Sequence, residues 1–183
     1  YRMSKGFESA VDWSPDGKQL LFISDDGGQT NLYTYDLATG TTSAVVTGSG
    51  WQASWAKIPA TSQPENPTGA LEVEGFHASG GSLLAYLGEN YQLWLYDPAS
   101  GSRGQLSEPL SATSFWKSPS GMRLIYSDRL LDLSFQEDSS LIVQQIRLPA
   151  APAGDEIHWS PGESRLAYRD ALGRVWLVQA GSD

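Results

Sequence analysis

The side chains best suited to chemistry are scarce in this chain. It has two histidines, His77 and His158, and no cysteine, so disulfides, thiolate metal sites and cysteine nucleophiles are excluded. A serine hydrolase usually needs a Gly-x-Ser-x-Gly elbow together with a histidine and an acid, and no such elbow occurs. Two histidines in different parts of the chain are too few for a histidine-rich metal site. We therefore predict no catalytic residue, no metal site and no cofactor, and we expect the chain not to be an enzyme.

Two pairs of carboxylates are close in sequence, Asp155-Glu156 and Glu72-x-Glu74. Glycoside hydrolysis requires two carboxylates that face each other across a defined gap, and sequence spacing does not establish such a gap. The default interpretation is a solvated loop or strand face, on which Glu156 remains a candidate for binding.

The segment SDDGGQTN, residues 24–31, is rich in oxygen ligands but departs from the spacing of an EF-hand loop. A solvated hairpin loop is the better interpretation, because two glycines supply the positive φ that tight hairpins need. Asp25 and Asp26 in this loop are candidates for a binding surface.

Two further positions are candidates for recognition. Trp51 is a large aromatic residue next to a Gly-Ser-Gly turn, and His158 precedes Trp159 on a predicted inner strand, where it either faces a central channel or packs as a hydrogen-bonded core residue. The candidate binding surface predicted from the sequence comprises Trp51, His158, Glu156, Asp25 and Asp26.

Composition limits the class of protein. The 183 residues are 40% hydrophobic and 18% charged, which is typical of a single globular domain covering residues 1–183. The formal net charge of −9 would repel a phosphate backbone or an anionic membrane surface. No apolar stretch approaches the length of a membrane span. We therefore expect neither nucleic-acid binding nor membrane insertion.

A turn-forming tetrapeptide between two strand-like segments recurs along the chain. The first copy is Ser14-Pro15-Asp16-Gly17, where Pro presets φ, Asp bonds the local backbone and Gly accepts positive φ. An aromatic residue precedes each clear copy and an apolar run follows it. The copies are Trp13 to Phe22, Phe76 to Tyr86, Trp116 to Tyr126 and Trp159 to Tyr168.

The apolar runs after these turns give the repeat length. They begin at Leu20, Leu83, Leu124 and Leu166, so the last two steps are 41 and 42 residues and the first is longer by 21. Trp55 lies 42 residues after Trp13, which places the insertion between Trp55 and Leu83. A loop of this length on a repeat is either a recognition element or a variable decoration.

A unit of four antiparallel strands in about 42 residues has the size of a propeller blade. The sequence thus predicts an all-β β-propeller of four blades with four antiparallel strands each. The blades cover residues 9–47, 51–107, 112–149 and 155–178, the last completed by residues 1–4. We expect Trp13, Trp55 and Trp159 to be buried between blades. We expect the insertion to project as an irregular excursion, with an extra strand over 70–76.

The pattern WSPDGKQLLF…NLYTYDLATG resembles the TolB-type propeller repeat, which is similar to WD repeats. The resemblance covers nearly the whole chain and is strongest in the first copy. The second copy lacks the Pro, the third has Lys117 in place of the Trp, and the fourth has Gly162 in place of the Asp. The resemblance implies a non-enzymatic binding scaffold outside the cytoplasm that recognises a protein or a small ligand. The alternative is the gating or substrate-recognition propeller of a larger peptidase whose catalytic domain is absent here.

The sequence leaves three alternatives for how the ring of blades is completed. Pairing of residues 1–4 with the strand at 174–178 would cover an otherwise open edge. Within one chain it would close a four-bladed ring, which is the arrangement we favour. Between two chains it would give a homodimer with an eight-bladed ring. In a third alternative, the missing strand belongs to another polypeptide.

Overall fold

The structure is a computed structural model that describes residues 7–26, 28–48, 52–57, 70–79 and 81–180. These residues form antiparallel strands and one short 3₁₀ helix, Glu89–Tyr91. The all-β prediction is confirmed. The strands form four sheets, numbered sheet 1 to sheet 4 in the order in which most of their strands occur along the chain.

Strands β1 to β5 and β7 to β9 form the first two sheets. Sheet 1 contains β1 (Phe7–Trp13), β2 (Gln19–Asp26), β3 (Gln29–Asp36) and β4 (Thr42–Val46) in that spatial order. Sheet 2 contains β5 (Ala53–Lys57), β7 (Ser82–Leu87), β8 (Leu93–Tyr96) and β9 (Arg103–Gln105).

Sheets 3 and 4 depart from the four-stranded pattern. Sheet 3 has five strands, β10 (Trp116–Lys117), β11 (Arg123–Tyr126), β12 (Arg129–Phe135), β13 (Ser140–Arg147) and β6 (Leu71–His77). Within the described residues, sheet 4 has three, β14 (Pro152–Trp159), β15 (Arg165–Asp170) and β16 (Val175–Gln179). The prediction of four strands in every blade is therefore wrong for sheet 3. For sheet 4, the strand predicted to complete the blade lies at residues 1–4, outside the described residues.

The insertion accounts for the fifth strand of sheet 3. The extra strand predicted over 70–76 is confirmed as β6, but it does not project as an excursion. It pairs antiparallel with the outer strand β13, with Leu71 opposite Val143 and His77 opposite Ser140. Phe76 is fully buried in the core between sheets 2 and 3. Residues 58–69 of the insertion, and residues 1–4 with their predicted pairing to 174–178, lie outside the described residues.

The Ser-Pro-Asp-Gly turn forms as its sequence predicts. Ser14 C=O accepts a hydrogen bond from Gly17 N–H at 2.8 Å, and Gly17 adopts a φ of +69°. Asp16 accepts hydrogen bonds from Ser14 Oγ at 2.6 Å and from Lys18 N–H at 3.1 Å. The turn thus satisfies its own polar groups while it joins the first strand to the second.

Backbone pairing identifies the equivalent residues of the four sheets. The equivalent first-strand residues and their second-strand partners are Trp13 with Leu20, Trp55 with Leu84, Lys117 with Leu124, and Trp159 with Leu166. In sheet 2 the partner is Leu84 rather than Leu83, the residue from which the repeat was measured. A shift of one residue in a strand reverses the face on which every side chain lies, so Leu83 lies on the opposite face of sheet 2 from Leu84 and Trp55.

Each sheet has two faces, and consecutive sheets cover one another. We call the face toward the preceding sheet the preceding face and the other the following face. Trp55 and Leu84 on the preceding face of sheet 2 pack on Leu21, Ile23 and Leu32 on the following face of sheet 1. The same arrangement joins sheet 2 to sheet 3 and sheet 3 to sheet 4. Three successive cores thus hold the described fold together.

The predicted burial of three tryptophans is only partly right. Trp55 is 3% exposed and Trp159 is half-buried in the core between sheets 3 and 4, but Trp13 is 54% exposed. The three positions are equivalent and all lie on a preceding face. Within the described residues no sheet comes before sheet 1, so Trp13 has no following face to pack against.

Candidate functional site

The first strands of sheets 1, 2 and 3 meet in a polar cluster around Asp12. The Asp12 carboxylate accepts hydrogen bonds from Ser54 Oγ at 2.6 Å and from Trp55 N–H at 3.0 Å. Lys117 Nζ donates to Asp12 Oδ2 at 3.2 Å and to Trp55 C=O at 3.0 Å. The lysine that replaces the repeat's tryptophan therefore links three sheets.

Electrostatics stabilise the charged form of Asp12. Burial raises the pKa of Asp12, but the hydrogen bonds from Ser54 and Trp55 and the ammonium group of Lys117 outweigh it, so the pKa lies below its usual value. The carboxylate and the ammonium group are thus a charge pair at neutral pH. Such an ion pair stabilises the fold. It is poorly suited to proton transfer, because a general acid or base needs a pKa near the working pH.

A cavity of about 410 Å³ adjoins this cluster and is walled by side chains that bond one another. Gln52 clamps Phe115, because its amide nitrogen donates to Phe115 C=O at 2.6 Å and its amide oxygen accepts from Phe115 N–H at 3.0 Å. Trp116 Nε1 donates to Asp155 Oδ1 of sheet 4 at 3.2 Å. These groups hold the first strands together and are already occupied, so the cavity is a poor candidate for ligand recognition.

A larger groove of about 840 Å³ lies between sheets 2 and 3. Strand β6 forms one wall, the loop after β9 forms another, and the turn between β11 and β12 closes one end. Four carboxylates and one guanidinium group line the groove, together with several apolar side chains. The charged residues are Glu72, Glu74, Glu108, Asp128 and Arg129, and the aliphatic ones are Val73, Leu106, Leu110, Leu131 and Val143.

The charges of the groove do not cancel. Asp128 is paired with Arg147 at 3.0 Å and with Arg129 at 3.7 Å. Over the described ranges, no ion pair involves Glu72 or Glu74, both of which are exposed. The groove therefore presents a negative surface to an incoming ligand.

The pKa of Tyr126, whose phenol lines the groove, is raised above its ordinary value. Burial raises the pKa of its phenol, Arg129 opposes the shift, and the carboxylates of Asp128 and Glu108 add to it. The phenol therefore stays protonated at any ordinary pH and remains a hydrogen-bond donor inside an acidic groove.

Leu110 at the rim of the groove combines exposure with backbone strain. Its side chain is 73% exposed and its φ is +59°, a region that bulky residues rarely adopt. The loop is held there by hydrogen bonds from Leu110 N–H to Asn90 C=O at 2.7 Å and from Ala112 N–H to Tyr91 C=O at 3.0 Å. Strain of this kind costs on the order of 1–3 kcal/mol and is concentrated at binding sites.

The four predicted binding-surface residues that the structure describes do not line the groove or the cavity. Asp25 is exposed on β2 in sheet 1, and Asp26 ends the same strand. Glu156 and His158 are exposed on one face of β14, where Glu156 forms a two-contact ion pair with Arg169 at 2.8 and 2.9 Å. His158 lies on the following face of sheet 4 and not in the cavity. Trp51 lies outside the described residues.

The sequence signals for the groove were incomplete. The alternation Glu72-Val73-Glu74 was visible as a pair of carboxylates on one strand face, but its location depends on the pairing of β6 with β13. Nothing in the sequence distinguishes Leu110 from an ordinary loop residue. Within the described ranges, no group of three His, Cys, Asp or Glu residues is arranged to hold a metal ion.

Comparison with known proteins identifies the fold. No family model matches the chain, and no curated protein matches it. Among solved structures, TolB from Acinetobacter baumannii is 18% identical with a TM-score of 0.53, over 97% of this chain and 42% of that one. The dihydro-heme d1 dehydrogenase NirN is 16% identical with a TM-score of 0.54, over 93% and 34%. The Dos1 propeller is 11% identical with a TM-score of 0.52, over 96% and 42%.

These similarities concern the fold alone, because every identity is low. The chain spans less than half the length of each of the three proteins. No described helix is long and apolar enough to cross a membrane. The repeats, the successive sheets and the structural similarity agree, and the chain has the TolB-type propeller-like repeat fold.

Proposed function

We propose that this chain is a non-catalytic propeller module that binds a partner protein in the groove between sheets 2 and 3. The four sheets act as blades that position the groove, and the module works outside the cytoplasm, as the resemblance to TolB-type repeats implies. The observation that carries the proposal is the coincidence of a groove of about 840 Å³, two exposed glutamates that form no ion pair with any described residue, and an exposed, strained leucine in one place.

The chemistry of the groove defines the segment that it would accept. Glu72 and Glu74 on β6 attract Lys or Arg side chains. An ion pair between a carboxylate and an Arg guanidinium group is often bidentate, which fixes the geometry of the contact. Leu110 offers exposed apolar surface at the rim, and the partly buried Val73 lines the groove wall. A short basic segment with an apolar anchor therefore fits better than an acidic or a purely polar one.

A non-catalytic role has separate support. The polar groups of the smaller cavity bond one another, and the pKa of Asp12 is lowered rather than moved toward neutrality. Neither arrangement provides a general acid or base near neutral pH.

Fluorescent peptides that alternate Lys with Leu, or Glu with Leu, test the proposal. We expect the Lys-Leu peptide to bind and the Glu-Leu peptide not to bind. The Kd of the complex should rise at least about tenfold between about 0.05 M and about 0.5 M salt, because exposed charges are screened.

Matched variants locate the site. The double variant Glu72→Lys, Glu74→Lys should weaken binding of the Lys-Leu peptide by about tenfold or more. The control Asp25→Lys makes the same kind of change on an exposed carboxylate of sheet 1 and should leave the Kd unchanged. Equal binding of both peptides, or equal losses in variant and control, would refute the groove as the site.

A further inference from the structure

Two loops meet at the rim of the groove, and each exposes a large apolar side chain there. The turn between β7 and β8 contains Tyr91, and the connection from β9 to β10 contains Leu110. Tyr91 is 45% exposed and Leu110 is 73% exposed. Leu110 lines the groove but Tyr91 does not, so the exposed apolar surface extends beyond the groove itself.

Hydrogen bonds fix the two loops to each other and to sheet 2. Leu110 N–H donates to Asn90 C=O at 2.7 Å, and Ala112 N–H donates to Tyr91 C=O at 3.0 Å. At the base of the second loop, the buried hydroxyl of Ser107 accepts a hydrogen bond from the first N–H of β8 at 2.8 Å. The two exposed side chains therefore stand on a braced backbone, which lowers the entropic cost of binding to them.

The backbone of both loops adopts a conformation that favours glycine. Asn90 and Tyr91 have φ values of +59° and +52°, and Leu110 has a φ of +59°. Two successive positive φ values in a hairpin turn favour Asn followed by Gly. Asn90 fits this preference, but Tyr91 stands where glycine is usual. Local backbone preference therefore explains neither the tyrosine nor the leucine.

Burial within the chain does not explain these side chains either. The three hydrophobic cores of the described fold include neither Tyr91 nor Leu110. A tyrosine on a rigid backbone offers a large contact area at low entropic cost, which is typical of residues that dominate binding interfaces. The strain is therefore consistent with side chains that are retained for contact with another molecule.

Carboxylates flank the two side chains and limit what can cover them. Glu89 precedes the strained turn, and Glu108 lies two residues before Leu110 and lines the groove. Both glutamates are exposed, and the ion pairs found among the described residues include neither of them. A molecule that covers Tyr91 and Leu110 must therefore bring basic groups together with an apolar residue.

We propose that Tyr91 and Leu110 bind the apolar anchor residue of the basic partner segment, while the carboxylates of the groove bind its Lys or Arg residues. This inference rests on the proposed function and adds the residues that select the anchor. A large aliphatic or aromatic anchor buries apolar surface against both side chains, whereas alanine buries too little to contribute comparably. Selection by size thus belongs to the two loops, and selection by charge belongs to the groove.

A double-mutant cycle between protein and peptide tests the proposal. The probes are the peptide that alternates Lys with Leu and a matched peptide that alternates Lys with Ala. Tyr91→Ala and Leu110→Ala should each raise the Kd of the Lys-Leu peptide by at least about fivefold, and that of the Lys-Ala peptide by less than about twofold. Leu172→Ala is the control, because Leu172 is 77% exposed in the turn between β15 and β16, and it should change neither Kd.

Unfolding of Leu110→Gly in urea separates contact from a structural role. Glycine relieves the positive φ, so the midpoint of unfolding should stay the same or rise while the Lys-Leu peptide binds more weakly. A lower midpoint would show that the leucine supports the fold, and the inference would be wrong.

The outcomes of the peptide experiment separate this inference from the proposed function. If the Lys-Leu peptide binds in a manner that depends on Glu72 and Glu74, but Tyr91→Ala and Leu110→Ala leave its Kd unchanged, the inference is wrong and the proposed function stands. Equal losses for the Lys-Leu and Lys-Ala peptides also refute the inference alone. If neither peptide binds the unmodified chain, both are wrong.

Discussion

Leu95 and Leu177 are the same residue at the same position of two sheets, and their surroundings differ completely. Each lies opposite an alanine on the neighbouring strand, yet one is fully buried and the other is 72% exposed. Trp55 and Trp13 repeat this contrast at 3% and 54% exposure. In a repeat fold, burial is set by the neighbouring sheet, and residue type alone does not determine it.

The largest predicted difference in the free energy of unfolding is between alanine variants of the buried Trp55 and the exposed Trp13. Trp55→Ala removes a side chain packed against sheet 1 and should lower the free energy of unfolding by about 3–5 kcal/mol, as deletions of buried aromatic residues do. Trp13→Ala should lower it by less than about 1 kcal/mol in the monomer, since surface substitutions rarely cost more. Urea unfolding of dilute protein measures both. Similar losses in the two variants would contradict the assignment of covered and uncovered faces.

A smaller effect should come from the one position where a lysine replaces the tryptophan. Lys117→Met keeps the length of the side chain but removes its hydrogen bonds to Asp12 and Trp55. We expect a loss of about 1–2 kcal/mol, toward the lower end for hydrogen bonds to charged groups because both side chains are about one-third exposed. Lys18→Met, at an exposed ion pair of 4.0 Å, is the control and should change stability by less than about 0.5 kcal/mol. Equal losses would show that the Asp12 cluster does not link the sheets.

The smallest effect concerns pH and the covered face of β16. Trp176 Nε1 donates to Asp170 at 2.9 Å and, despite opposing desolvation, this bond and those from Arg174 and Leu172 lower the pKa of Asp170 to about 2. Since the folded pKa lies below the ordinary 3.8, the stabilisation is complete above pH 3.8 and is lost as the pH falls toward about 2. The difference in stability between the unmodified chain and Asp170→Asn should therefore shrink on acidification through this range. A difference that stays constant would show that the Asp170 carboxylate contributes no pH-dependent stability.

The repeat and its turns were predictable because their signals are local. Asp36 is the last residue of β3 and Asp97 directly follows β8. Each carboxylate accepts backbone hydrogen bonds of the turn that follows, as the Asp-x-x-x-Gly pattern predicts. The degenerate fourth turn is different. Glu163, with a φ of +56°, takes the position that glycine has in the other turns, and its carboxylate accepts bonds from Ser120 of sheet 3. A contact to another sheet thus compensates for a locally poor residue.

The parts that were not predictable depend on which sheets are neighbours. The alternation in β6 indicates a strand, but its pairing with β13 across more than sixty residues has no local signature. The same is true of Trp13, whose sequence surroundings match the repeat better than those of the buried Trp55. The groove was not predictable for the same reason as the pairing of β6, because β6 supplies one wall of it and the loop at Leu110 another.

Leu95 and Leu177 are equivalent leucines that differ in whether a following sheet covers them, and Leu95→Ala and Leu177→Ala test the effect of that difference most directly. Both variants make the same chemical change opposite an alanine, and urea unfolding is measured in dilute protein whose mass equals one chain. We predict a loss of about 2–5 kcal/mol for Leu95→Ala and of no more than about 0.5 kcal/mol for Leu177→Ala. Losses of equal size in the two variants would contradict the account.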